Sequence, residues 1–131
     1  MGRRAPRHPL IAVLGLAVAA CATHFVRVPD DVRGYEIVVE GSDTLSRAFA
    51  KALKDAGLKV RPEPRGGNRP AAALVHFVFQ ERQDSPAYLY ARLADTRTGQ
   101  IVAAAETPLD SAVAAGPRAA LLVRILLTPR S

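Results

Sequence analysis

The chain has a single cysteine, Cys21, which directly follows an uncharged apolar run, Leu10–Ala20, behind a basic opening of Arg3, Arg4 and Arg7. A basic start, a short apolar stretch and small residues before a cut (Val18-Ala19-Ala20) make an export leader, which is removed and takes no part in the fold. The run is about half of the roughly 20 residues that a membrane-spanning helix needs. Cleavage before Cys21 leaves residues 21–131, enough for one small domain. No second cysteine remains for a disulfide, so an exported domain of this size must be held together by its core alone.

Val18-Ala19-Ala20-Cys21 resembles the lipobox of bacterial lipoproteins. The resemblance implies that Cys21 becomes the first residue of the mature protein and carries lipid. The chain then divides into a signal peptide (1–20), a lipidated cysteine and tether (21–34) and a single domain (35–131). By the sorting rule of the same group, Ala22 in place of an aspartate directs the protein to the periplasmic face of the outer membrane. The formal net charge is +6, but three of those charges, Arg3, Arg4 and Arg7, leave with the leader. Tryptophan is absent and aromatic residues make up 5% of the chain, so no stacking platform for nucleic acid is evident.

Along the mature chain, Tyr35–Glu40 is compact and β-branched, which predicts a first strand. Gly41-Ser42-Asp43-Thr44 marks a turn and a helix start, because side-chain oxygens there can accept the helix's unpaired amides. Leu45, Ala48, Phe49, Ala52, Leu53 and Ala56 then fall on one helical face, with Arg47, Lys51 and Lys54 on another. Gly57 ends that helix. Leu58–Arg61 predicts a short second strand, and Pro62–Pro70 a polar loop. Ala72–Glu81 is nearly continuous apolar sequence, as expected of a central strand covered on both faces. Tyr88–Ala94 alternates, with Leu89, Ala91 and Leu93 against Tyr88, Tyr90 and Arg92. Asp95–Gly99 reads as a hairpin loop, in which Asp95 bonds the turn amides and Gly99 takes positive φ, and Gln100–Thr107 as its returning strand. Asp110–Leu127 reads as helical, restarting at Pro117; its apolar end, Leu121–Leu127, also fits a buried strand. The expected fold is α+β: a β-α-β-β-β-α layer, mostly antiparallel, with helices packed on one face.

Chemistry-bearing residues are sparse. His24 falls in the tether and His76 inside the apolar run, where a packed histidine is the simpler reading. No zinc ligand set can be assembled, and no cofactor is expected. No serine has a supporting histidine and acid; an enzyme would have to work through an unrecognised site around His76. Gly41-Ser42-Asp43-Thr44-Leu45 resembles the G-S-D-T-L turn of periplasmic phosphate-binding proteins, which present a helix start to an anion. That resemblance makes Ser42, Asp43 and Thr44, with Arg61 and Arg65, a candidate anion site, although helix capping accounts for the same three residues without a ligand.

The helix end Leu53–Val60, the strand Ala71–Arg82 and the hairpin Tyr88-Leu89-Tyr90-Ala91-Arg92-Leu93-Ala94-Asp95-Thr96-Arg97-Thr98-Gly99-Gln100-Ile101-Val102 are together similar to small envelope lipoproteins. These are the flagellar-assembly lipoproteins, the curli-secretion-like lipoproteins and the amino-terminal domain of the Tol translocation protein. The resemblance spans Tyr35–Thr107 and implies a non-enzymatic helper that docks onto other envelope proteins. The leading expectation is therefore a lipid-anchored periplasmic accessory protein, held to the membrane by Cys21. It would grip a protein partner by a sheet edge or by the hairpin face of Tyr88, Tyr90 and Arg92. The alternative is a binder of an anionic small molecule or glycan at Ser42–Thr44.

Overall fold

The computed structural model describes residues 31–64 and 69–129; Cys21, His24 and Arg65 lie outside them. The helical spacing after Gly41 becomes α1, Thr44–Asp55, which buries Phe49 and Leu53. Asp43 is its N-cap and accepts the Ser46 amide at 2.9 Å. At the other end Gly57 takes φ 88°, and its amide donates to the Lys54 carbonyl while that of Leu58 donates to Leu53. Those paired bonds are a Schellman stop, and the buried Leu53 and Leu58 supply its apolar contact. Arg33, from a 3₁₀ turn at Val32–Gly34, also donates to the Ala56 carbonyl at 2.9 Å.

The strands are β1 (Glu36–Val38), β2 (Val60–Arg61), β3 (Ala71–Gln80), β4 (Ala87–Asp95) and β5 (Ile101–Pro108), followed by α2 (Ala115–Leu127). The chain thus forms a β-α-β-β-β-β-α order, one strand more than the expected β-α-β-β-β-α. Its five-stranded sheet runs β2-β1-β3-β4-β5. The long strands β3, β4 and β5 pair antiparallel, while the short β1 lies parallel to both β2 and β3, which makes the sheet mixed. Leu121–Leu127 is helix, not strand: Ala119, Leu122, Val123 and Leu126 are buried at helical spacing. The helix begins at Ala115, with Pro117 inside its first turn. Among the described residues, no helix is long and apolar enough to cross a membrane.

Both helices cover one face of the sheet. Phe49 and Leu53 from α1 and Leu122, Val123 and Leu126 from α2 share a single core with Ile37, Leu74, Leu89, Ala91 and Leu93. Each such leucine or phenylalanine contributes about 1.5–3 kcal/mol by leaving water. Because α1 and α2 each follow a strand running the same way, the two helices run in the same direction, with their N-termini at one end of the layer.

The expectation that Ala72–Glu81 is covered on both faces fails for its second half. Ala72 and Leu74 are buried, but Val75, Val78 and Phe79 are about half exposed. Val75 and Phe79 lie on the face away from the helices, and length explains Val78. Ten strand residues span about 33 Å, whereas helices of 12 and 13 residues span about 18–20 Å. The far end of the β3–β4 hairpin outruns its cover.

Candidate functional site

Along β4, Tyr88, Tyr90 and Arg92 alternate with the buried Leu89, Ala91 and Leu93, so they project from the face away from the helices. The register places Phe79, Phe77 and Val75 of β3 directly opposite them, on that same face. Phe77 stacks on Tyr90 with centroids 5.1 Å apart and an 8° interplanar angle, and Phe79 meets Tyr90 edge-on at 6.5 Å. The Arg92 guanidinium lies 5.2 Å from the Phe77 centroid, a cation–π contact. Desolvation in this strip, then the Glu106 carboxylate opposite on β5, raises the Tyr90 phenol above its ordinary value. The result is a strip of three aromatic rings, an aliphatic side chain and a stacked guanidinium, with Val75 49%, Phe77 37% and Phe79 54% exposed. Tyr88 flanks it.

Val75, Phe77 and Phe79 were not legible as site residues. The signal that could have found them is cross-strand pairing. Once Tyr88, Tyr90 and Arg92 face outward, so must the residues opposite.

Two of the described candidate anion residues, Asp43 and Arg61, are committed elsewhere. Ser42, Asp43 and Thr44 are exposed at the start of α1, but the Asp43 carboxylate itself takes the amide an anion would need. Arg61 is ion-paired with the buried Glu36, whose Oε2 has no hydrogen-bond partner. Arg65 is not among the described residues.

A different constellation lies beside it. The Ser46 hydroxyl donates to Asp43 Oδ2 at 2.5 Å and lies 3.1 Å from His76 Nε2. A hydroxyl has one hydrogen, and Asp43 has it, so His76 must donate its Nε2–H to Ser46 Oγ. That is the reverse of a nucleophile pair, in which histidine accepts the serine proton. Ser46 is moreover 1% exposed, and the His76 ring stacks on Phe49 at 5.5 Å. The network ties the start of α1 to β3. The Ser46 hydroxyl, then its amide, hold the Asp43 carboxyl below its ordinary value.

Gly41 makes room for this network. Its φ is +99°, and an added Cβ would lie 3.1 Å from Ser46 Oγ and 3.2 Å from Asp43 Oδ2. Gly41→Ala is expected to cost about 1–2 kcal/mol. Gly57→Ala, at φ +88° with no atom within 4 Å, should cost about 1 kcal/mol. Urea midpoints of the two variants check the difference.

Among the described residues, no group of histidine, cysteine, aspartate and glutamate is placed to hold a metal ion. No protein-family model matches the chain. No curated protein matches it either. Among solved structures it is similar to a dodecameric PelC variant from Paraburkholderia phytofirmans, with 16% identity over 78% of this chain and 93% of that one, at a TM-score of 0.43. A likeness at that level transfers no function.

Proposed function

We propose that this chain is a lipid-anchored, non-enzymatic accessory protein of the cell envelope. Cys21 would hold it to the periplasmic face of the outer membrane, and the strip on the β3–β4 hairpin would capture an envelope protein. The observation behind this reading is the exposed cluster of Val75, Phe77, Phe79, Tyr90 and Arg92. Contiguous apolar surface in a soluble domain marks interaction sites. Aromatic residues and arginine are the side chains that most often supply binding energy in protein interfaces. Stacking already fixes the rings, so little side-chain freedom is lost on binding. The leader and Cys21 motif support the anchor, and the donor role of His76 speaks against hydrolysis at Ser46.

Crosslinking in cells with a C-terminally tagged full chain, read by mass spectrometry, tests this. Phe77→Ser combined with Tyr90→Ser removes two anchors of about 2 kcal/mol each, so capture should fall on the order of 1,000-fold. Thermal melting should show a folded domain. Capture at the wild-type level would sink this face as the docking site. The mass of the mature N-terminus tests the anchor separately, because an unlipidated Cys21 removes it.

A further inference from the structure

Strand β5 closes one edge of the sheet, and no strand pairs with its outer side among the described residues. The amide of Leu109, just past β5, donates to the Ala87 carbonyl on β4. Backbone groups alternate sides along an antiparallel strand, so Thr107, Ala105 and Ala103 also turn theirs toward β4. Ala104 and Glu106 therefore point their N–H and C=O groups off the sheet, where each needs a partner. A bulge in the pairing at Leu93 and Ala94 limits this alternation to the stretch from Ala103 onward.

Helix α2 overhangs the same edge. Its Ile125 is 39% exposed. With Val102, Ala103 and Ala104 of β5 it lines an open slot of ≈ 580 Å³. The strand side of the slot is built of alanines, which leaves room for the side chains of one more strand. Asp31 and Val32 line that slot too. The backbone of Asp31 is extended, at φ −131° and ψ 145°. The chain thus enters the domain at the open edge of β5. The residues that lead up to it are Phe25-Val26-Arg27-Val28, then Pro29 and Asp30. Aromatic and β-branched residues favour strands, and a proline followed by aspartate makes the turn out of one.

We propose that Phe25–Val28 of the tether adds to β5 as a sixth, antiparallel strand. Followed back from Asp31, the segment would meet β5 with Val28 opposite Ala103 and Phe25 opposite Glu106. Val26 and Val28 would then lie on the helix face, over Ala103 and Ala105 and beside Ile125. Arg27 and Phe25 would exchange hydrogen bonds with Ala104 and Glu106, and Arg27 would be a diagonal neighbour of the Glu106 carboxylate. The tether begins at the slot, so its local concentration there is high; a second copy of the chain has no such advantage. Docking would leave four residues between the strand and Cys21, at most about 14 Å of chain. With lipid on Cys21, the β5 edge would be held toward the membrane rather than free to swing. The strand itself needs neither that lipid nor the capture face.

Hydrogen exchange on the full chain as expressed and processed in cells, read by mass spectrometry, provides the test, with Arg27→Pro as the comparison. The substitution removes the N–H offered to the Ala104 carbonyl and leaves the core untouched. Amides of residues 25–28, and those of Ala104 and Glu106, should exchange at least about tenfold faster in the variant, while those of Leu89 and Leu93 stay as they are. Free-peptide exchange at residues 25–28 in the wild type would overturn the proposal, as would unchanged exchange of Ala104 and Glu106 in the variant. Light scattering beside it covers the competing occupant. Protection of β5 that rises with protein concentration, together with the mass of a dimer, would give the edge to a second copy and overturn the proposal as well.

Discussion

The Asp95→Ala variant is expected to unfold about 3 kcal/mol more easily than the wild type. Asp95 closes β4 and is 2% exposed. Its Oδ1 accepts the Arg97 amide at 2.8 Å and the Thr98 amide at 3.3 Å, and its Oδ2 accepts the Tyr35 hydroxyl at 3.2 Å. It thereby shapes the β4–β5 turn and ties it to the start of β1 across the sheet. Truncation leaves those donors without an acceptor in a partly dry site, which costs more than the bonds themselves contribute. Burial pushes the Asp95 carboxyl up, but the Arg97 and Thr98 amides, the Tyr35 hydroxyl and the Arg97 charge outweigh it and leave it below its ordinary value. A carboxyl lowered on folding stabilises the native state at pH above its unfolded value, and that contribution fades as pH falls through its folded value. The wild type should therefore lose stability in acid, and the gap to Asp95→Asn should narrow there. Urea unfolding at pH 7 and at pH 3 measures both effects; an unchanged gap would remove the ionised carboxylate from the account.

The role of Asp95 was legible in the sequence because turn chemistry is local: an aspartate four residues before a glycine has one obvious way to satisfy the amides between them. Gly99 follows it with φ 72°, as the turn requires. Helix α1 was legible for the same reason, since its cap, its apolar spacing and its glycine stop all lie within about fifteen residues. Three things were not local. The parallel pairing of β1 with β2 and β3 depends on where the chain returns after α1, which no short pattern encodes. The exposure of Val75, Phe77 and Phe79 depends on both helices packing on the other face of the sheet, so an apolar run that is half bare looks like one fully buried. Ser46 and His76 are thirty residues apart. Either alone reads as ordinary, and only the register that brings β3 beneath α1 reveals the bond. The candidate anion residues show the converse. Ser42, Asp43 and Thr44 look like a site because capping a helix and cradling an anion need the same atoms, and here the Asp43 carboxylate takes the Ser46 amide as a cap.

Phe49→Ala should have the largest effect of all, about 4 kcal/mol, the range for removing a fully buried aromatic side chain. Phe49 is 0% exposed and lies where α1 meets the sheet, packed in the core and stacked on His76. No disulfide spans the described residues, and α1 and α2 pack on each other as well as on the sheet. The void would thus open at the junction on which both helices depend. His76→Ala separates the two roles of the histidine. If its ring serves the Ser46 bond and the Phe49 stack, the variant should lose about 1–2 kcal/mol, less than Phe49→Ala, and retain partner capture in full. Loss of capture or of any activity in a folded His76→Ala protein would show that the histidine does chemistry after all. Chemical denaturation of both variants beside the crosslinking readout distinguishes a packed histidine from a working one.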